Sequence, residues 1–371
     1  MKILICGGSG FIGSTFIQNY LKSNPESNIT NLDNLTIGSN QENLKNIQNN
    51  SQYHFIQNNI RNESVVSDLV NLSIGSNQEN LKDLLNNSHY KFIHDNIQNE
   101  STVSDLIKNH DVIVNFAAES HVDRSISNPK PFVETNILGT YSLLEGIRKH
   151  DKLFIHVSTD EVYGDAENQE SFNETSQINP SNPYSATKAA ADHLVASYYR
   201  TYGIKCITTR CSNNFGPMQF PEKLIPKTII RTIKNLKVPI YGDGQQIRSW
   251  IYVTDHVDAI QSLILKGKSG DVYNITSYEE ISNKTIVKKI LDIMNISDEM
   301  IEFVSDRPGH DKRYSIDSSK IEKEIDWKPK YDFDKALQET VTWYLKNKNW
   351  WMPLIDDKVL HPQPWTLNWS K

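Results

Sequence analysis

The chain opens on a short apolar run, Lys2–Cys6, the pattern of a strand buried on both faces of a parallel sheet. A glycine turn follows, Gly7-Gly8-Ser9-Gly10-Phe11-Ile12-Gly13, and residues 14–23 carry apolar positions at helical spacing until Pro25 stops them. A second apolar stretch at 29–32 ends in Asp33, and further buried strands are predicted at 112–117 and 153–158. Strands alternating with helical segments predict an α/β fold, a Rossmann-like doubly wound parallel sheet over residues 1–212. Beyond 212 the alternation weakens and prolines intervene (Pro217, Pro221, Pro226, Pro239), with strands predicted at 250–253 and 272–275 and helices at 284–294 and 331–346. Residues 213–371 are therefore expected to form mainly a smaller C-terminal α/β substrate lobe, with segments around 248–275 returning to the first domain. The tail from 350 onward, with Trp350, Trp351, Trp365 and Trp369, reads as a strap laid on the body.

A repeat interrupts the pattern. Asn34-Leu35-Thr36-Ile37-Gly38-Ser39-Asn40-Gln41-Glu42-Asn43-Leu44-Lys45 returns as Asn71-Leu72-Ser73-Ile74-Gly75-Ser76-Asn77-Gln78-Glu79-Asn80-Leu81-Lys82, and Tyr53-His54-Phe55-Ile56 as Tyr90-Lys91-Phe92-Ile93. Every match is offset by 37 residues, so 34–70 and 71–107 are a tandem duplication. Two copies are too few to stack a solenoid core, and the expectation is a tolerated insertion near a sheet edge.

Composition narrows the class. With 371 residues, 37 % hydrophobic and 23 % charged, this is an ordinary globular composition, and the formal net charge of −6 gives no electrostatic footprint for nucleic acid. No apolar run approaches the ~20 residues of a membrane span. The N-terminus is too short in apolar residues for a signal peptide. The three cysteines, Cys6, Cys206 and Cys211, form neither C-x-x-C nor an even set, which argues against disulfides and a metal site and for a reducing cytoplasm.

The chemistry lies in three motifs. Gly7, Gly10 and Gly13 sit between strand and helix, where backbone N–H groups can meet a pyrophosphate, and Asp33 follows at the distance of a ribose-binding carboxylate. A carboxylate there repels a 2′-phosphate and favours NAD over NADP. Tyr184 and Lys188 form Y-x-x-x-K on one helix face, where a nearby ammonium lowers the phenol's pKa and makes a workable base. Alone, that spacing is common. Upstream, Ser158-Thr159-Asp160-Glu161-Val162-Tyr163-Gly164 puts two adjacent carboxylates and a threonine at the end of an apolar strand, where ligands of such folds sit.

These motifs, with Ala117-Ala118-Glu119-Ser120-His121-Val122-Asp123-Arg124-Ser125, together resemble the extended short-chain dehydrogenase/reductases. More narrowly, they resemble the dTDP-glucose 4,6-dehydratases and the plant-type UDP-glucose 4,6-dehydratases. The resemblance runs on through Ser212–Pro217, 220–226, Gly242-Asp243-Gly244 with Arg248, and Asp306-Arg307-Pro308-Gly309-His310-Asp311. It implies a nucleotide-diphosphate-glucose substrate, NAD, and a step toward deoxysugars such as rhamnose. Tyr184, assisted by Thr159 and Lys188, would deprotonate the sugar 4-hydroxyl while hydride passes from C4 to NAD. Glu161 would then take the C5 proton, Asp160 would protonate the departing 6-hydroxyl, and the hydride would return to C6.

The same resemblance implies cofactor contacts from Gly7, Gly10, Phe11, Ile12, Gly13, Asp33, Asn34, Leu35, Thr36, Ala117, Ala118, Glu119, Ser120, Thr135, Tyr184, Lys188 and Asn214. The adenine contact, usually Asp-Ile, is Asn-Ile in both copies, Asn59-Ile60 and Asn96-Ile97, and Asn96 and Ile97 are taken as the contact. Implied substrate contacts are Ser120, Thr159, Asn213, Lys223, Leu224, Pro239, Ile240, Tyr241, Arg248, Asn283, Asp306, Arg307 and His310. A homodimer is also implied, its helices near Pro131 and Tyr184 packing into a four-helix bundle over Leu143, Leu144 and Val195. The rival readings are a nucleotide-sugar 4-epimerase, which needs Tyr184 and Lys188 but not the carboxyl pair, and a non-catalytic NAD sensor.

Overall fold

The computed structural model describes residues 1–35, 56–57, 80, 81, 84, 87–167 and 170–369. β1 (Lys2–Cys6) leads through the glycine turn into α1 (Phe11–Ser23) and β2 (Asn28–Asp33). β3 (Ile56–Gln57), β4 (Tyr90–His94), α2 (Glu100–Lys108) and β5 (Val112–Asn115) follow. The chain continues through α3 (Val122–Ser127), α4 (Lys130–Phe132), a π-helical stretch at Val133–Gly139 and α5 (Thr140–His150). Next come β6 (Leu153–Thr159), a 3-10 turn at Asp160–Tyr163, α6 (Pro183–Tyr202) and β7 (Cys206–Cys211). The remainder holds β8 (Asn213–Phe215), α7 (Leu224–Ile233), β9 (Val238–Tyr241), β10 (Ile247–Tyr252), α8 (Val253–Lys266), β11 (Val272–Ile275) and β12 (Glu280–Ser282). It ends in α9 (Asn283–Ile293), β13 (Ile301–Val304), α10 (Ser319–Ile325), α11 (Phe333–Lys346) and α12 (Lys348–Trp351).

Eight strands make one parallel sheet in the order β11-β7-β6-β5-β1-β2-β4-β3. Successive side chains of a strand point to opposite faces, so β1 feeds two cores. Ile3 and Ile5 pack with Phe16 and Ile17 of α1 and with Val257, Ile260 and Leu263 of α8. Leu4 and Cys6 pack the other way, with Val103 and Ile107 of α2, Leu143, Leu144 and Ile147 of α5, and Val195 of α6. Coverage on both faces is why these strands read as unbroken apolar runs.

Leu143, Leu144 and Val195 are thus 0 %, 0 % and 1 % exposed inside the chain's own core, and cannot serve as the dimer contacts expected of them. The outward apolar positions of the same helical segments are Val133, Leu138, Tyr141, Tyr199 and Tyr202.

A second core holds Phe215, Ile225, Ile229, Trp250, Ile286, Leu337, Tyr344 and Trp351 around the small sheet β12-β10-β8, and the pair β13-β9 packs in a smaller cluster with Val287 and Leu291. β10 stays in that small sheet, whereas α8 and β11 return to the large one. The tail is not extended: it forms short helical turns whose Leu354, Val359 and Leu360 sink into the second core.

The duplicated segment reaches the sheet edge. β4 comes from the second copy and pairs with β2, while β3 comes from the first and lies outside β4. Ile56 pairs with Ile93 and Gln57 with His94, so each residue faces its own duplicate. The extra copy therefore lengthens the sheet by a two-residue strand.

Candidate active site

β1 and β5 are neighbours in the sheet although far apart in sequence, and the strand order runs in opposite directions from them, so the loops leaving their ends diverge around a crevice. Gly7 has φ +77°, and a Cβ there would lie 2.6 Å from the Ala117 backbone; a Cβ on Gly13 would lie 2.5 Å from the Gly7 carbonyl. The turn thus packs too closely for any side chain at these two positions. Gly10 caps α1 with no side chain on its first amides, which leaves the positive helix end open to a phosphate. Asp33 is buried, accepting from Ser9 N at 2.8 Å and from Leu35 N at 3.0 Å. Asn31, which the sequence reading passed over, supports the same turn by accepting from Gly8 N at 2.9 Å.

Asp33, Asn34, Asn96, Ile97, Ala117 and Thr135 line one small pocket at the far end of this crevice. Asn34 belongs to the first copy and Asn96 to the second, so the pocket is a composite of the duplication. Asp95 lines it as well, its carboxylate accepting from Asn96 N at 2.7 Å and Asn99 Nδ2 at 3.0 Å. A carboxylate thus remains in the pocket, one residue before the position where the resemblance expects it. The Thr135 hydroxyl is buried there with no hydrogen-bond partner among the described residues. The close glycine cradle, the ribose-side carboxylate and this unpartnered hydroxyl fit a dinucleotide. Leu35 does not line the pocket, and Thr36 lies outside the described residues.

The crevice widens into a cleft with an open volume of about 1140 Å³. Its lining brings together Gly7, Gly10, Phe11, Ile12, Gly13, Ala117, Ala118 and Ser120 with Thr159, Asp160, Glu161, Tyr184, Lys188, Asn213, Asn214 and Lys223. Glu119 is absent from the wall; its backbone is held from behind by Asn136, which accepts from Glu119 N at 2.9 Å and donates to Glu119 O at 3.0 Å. Asn136 belongs to the π-helical stretch, a distortion often found at functional sites.

β6 delivers Thr159, whose hydroxyl caps the 3-10 turn by accepting from Glu161 N at 3.3 Å and donates to Asp160 Oδ1 at 3.2 Å. Tyr184 enters at the start of α6, set by a reciprocal Asn182–Ser185 capping box and Pro183 at the first turn. Lys188 donates to the Val157 carbonyl at 2.8 Å, which fixes its ammonium against β6.

Burial and the Glu161 charge push the Asp160 carboxyl up to about 8. Burial also drives the Tyr184 phenol well above its ordinary range, the Glu161 charge adds to this, and a hydrogen bond with Thr159 offsets part. In this cleft those effects outweigh the lowering expected from Lys188.

A second cleft, about 970 Å³, joins the first at Glu161, Asn213 and Lys223. Leu224, Pro239, Ile240, Tyr241, Arg248, Asn283, Arg307 and His310 line it. Lys223 donates to Ser120 O at 2.7 Å, pinning the lobe to the loop after β5. Arg248 donates to the carbonyls of Ile247 at 2.7 Å and Asp311 at 2.8 Å, with its guanidinium 4.0 Å from the Tyr314 ring. Tyr314, another residue the sequence reading missed, also donates to Asp311 Oδ2 at 2.6 Å and Glu161 Oε2 at 3.3 Å. Asp306 does not reach the wall; it holds His310 Nδ1 at 2.6 Å and accepts from Gln246 Nε2 at 3.0 Å.

Residues 67–340 match the family model described as GDP-mannose 4,6 dehydratase. A dTDP-glucose 4,6-dehydratase of Escherichia coli is 40 % identical over 386 residues, covering 96 % of this chain and 97 % of its own. The chain belongs to the dTDP-glucose 4,6-dehydratase family. Among solved members of this dehydratase family, the Bacillus anthracis enzyme in complex with NAD superposes with a TM-score of 0.81 at 39 % identity, covering 96 % of this chain and 100 % of that one. The Streptomyces venezuelae dehydratase with NAD and TDP bound gives a TM-score of 0.84 at 35 % identity, with the same coverage. A UDP-glucuronic acid 4-epimerase of Bacillus cereus lies further off, at a TM-score of 0.79 and 26 % identity over 93 % of this chain and 99 % of its own.

Proposed function

We propose that this protein dehydrates dTDP-glucose to its 4-keto-6-deoxy form, with NAD resident in the crevice. The observation that carries this reading is the pair of adjacent carboxyls on the wall that also holds Tyr184 and Lys188, one of them pushed up to about 8 by burial and its neighbour's charge. An epimerase needs no such pair. The chemistry NAD supplies when bound is acceptance of a hydride from sugar C4 and its return at C6. Gly7, Gly10 and Gly13 hold its pyrophosphate, Asp33 its ribose, and Asn34, Asp95, Asn96, Ile97 and Thr135 its adenine.

Tyr184 would take the proton of the sugar 4-hydroxyl as the phenolate, a form that burial and Glu161 oppose and that Lys188 and the positive charge of bound NAD would favour, with Thr159 beside it. Oxidation at C4 acidifies the C5 proton, which Glu161 removes; after its proton has exchanged with solvent, Glu161 reprotonates C5. Asp160, protonated at neutral pH, gives its proton to the departing 6-hydroxyl. Lys223, Arg248 and Arg307 hold the diphosphate, a guanidinium being a fork of donors matched to phosphate oxygens.

The dTDP-glucose dehydratases among the relatives favour thymidine over uridine as the base. Comparing kcat/KM for dTDP-glucose and UDP-glucose, with the alkali-induced absorbance of the 4-keto product as readout, tests both claims. Faster turnover of UDP-glucose contradicts the base assignment, and a 4-epimer product contradicts the reaction. The product feeds deoxysugar synthesis, rhamnose being one outcome. The active unit is a homodimer, formed through Val133, Leu138, Tyr141, Tyr199 and Tyr202.

A further inference from the structure

Asp123 has no part in the reaction described above, yet it lines the nucleotide cleft. It lies in the first turn of α3, and both of its carboxylate oxygens are taken. Oδ2 accepts from the Tyr241 hydroxyl at 3.0 Å and Oδ1 from Arg307 Nη1 at 2.8 Å. These donors come from separate pieces of the lobe, the end of β9 and the loop after β13. The carboxylate itself cannot drift. Its neighbour Arg124 is clamped by Glu222, with Nε at 2.9 Å and Nη2 at 2.6 Å, and Trp369 covers that guanidinium at 3.8 Å. Trp365 stands edge-on to Tyr241 with ring centroids 4.6 Å apart.

The two cleft arginines are held differently. Arg248 is fixed without a counter-charge, by backbone carbonyls and the Tyr314 ring. For Arg307 the described anchor is Asp123, and its Nε is buried with no hydrogen-bond partner among the described residues. Burial opposes the Arg307 charge, and Asp123, with smaller help from Tyr314 and Glu161, offsets it. A carboxylate in an anion-binding cleft repels the ligand, so its presence there needs a compensating role.

We propose that Asp123 is the positioning residue for the substrate diphosphate: it takes one end of the Arg307 fork, leaves the other N–H groups of that guanidinium for phosphate, and ties the arginine to Tyr241 across the cleft. This rests on the nucleotide-sugar reading of the cleft. A fork held at one end meets a phosphate without first being ordered, and that pre-ordering is what the carboxylate's repulsion is set against.

The test is calorimetric binding of dTDP and of thymidine to the NAD-loaded protein. Asp123→Asn should weaken dTDP by roughly tenfold or more while thymidine changes less than about twofold, and KM for dTDP-glucose should rise by more than kcat falls. Because Asp123 acts through Arg307, the double variant D123N/R307Q should bind dTDP no more weakly than R307Q alone. Unchanged dTDP binding in Asp123→Asn, parallel weakening of dTDP and thymidine, or additive losses in the double variant would overturn the proposal. If Asp123→Asn does not retain NAD, Asp123→Glu carries the same comparison: it keeps the charge, moves it by one methylene, and should lose dTDP selectively. A wild-type protein that binds dTDP but does not dehydrate dTDP-glucose contradicts the dehydratase reading alone. One that binds thymidine and dTDP equally contradicts this inference, and with it the assignment of Lys223, Arg248 and Arg307 to the diphosphate, while leaving the dehydration itself standing.

Discussion

Asp160 and Glu161 are adjacent carboxylic acids that their surroundings make unlike. Asp160 is 3 % exposed, Oδ2 has no partner among the described residues, and the neighbouring charge helps to push its carboxyl up to about 8. Glu161 is only partly buried and accepts from Tyr314. Such a difference supports the proposed roles of Asp160 as acid and Glu161 as base. Asp160→Asn combined with Glu161→Gln should keep NAD bound and lower 4-keto product formation by about 10³-fold or more, measured by the alkali assay; wild-type turnover contradicts the assignment. Asp160 must be protonated to act, so kcat should fall as pH rises through about 8 and stay level just below it. A kcat that is flat to well above that pH removes Asp160 from the role of acid. That Thr159, Asp160, Glu161, Tyr184 and Lys188 share one cleft was legible in sequence because two local spacings carry them. Tyr314, Asn31 and Asn136 were not: each acts on residues distant in sequence, through contacts that only the folded chain creates.

At the scale of elements, the strands of the large sheet were readable because burial on both faces leaves no alternation to misread. The composite pocket was not readable, since both copies offer an Asn-Ile pair (Asn59-Ile60 and Asn96-Ile97), only the second is preceded by an acid, Asp95, and the order of β2, β4 and β3 decides between them. That order also predicts the outcome of deletion. Removing residues 34–70 or 71–107 leaves one copy to supply β4 and the Asn-Ile pair, and forfeits the outermost two-residue strand. Halving a connection changes loop-closure entropy by only about 0.6 kcal/mol. Both deletion proteins should therefore fold, hold NAD and turn over, with thermal midpoints within a few degrees of the full chain, read by calorimetry. Insoluble or inactive products from both deletions would show that the extra copy is needed for the fold.

For the whole molecule, the crevice at the end of the large sheet and the second cleft meet at His121, Glu161, Asn213 and Lys223, and the other proposed reacting groups, Thr159, Asp160, Tyr184 and Lys188, line the first of the two. On the π-helical stretch, α5 and α6, Val133, Leu138, Tyr141, Tyr199 and Tyr202 are exposed. Sedimentation at micromolar concentration should give a dimer, and Leu138→Glu with Tyr199→Glu should convert it to monomer; a wild-type monomer contradicts the proposed assembly. Elimination across C5 and C6 is tested most directly by product NMR after incubating the protein with dTDP-glucose in D2O. The predicted product has a ketone at C4, a methyl group at C6 and one solvent deuterium at C5, the position Glu161 deprotonates and reprotonates. A product that keeps its 6-hydroxymethyl group and is merely inverted at C4 would contradict the account.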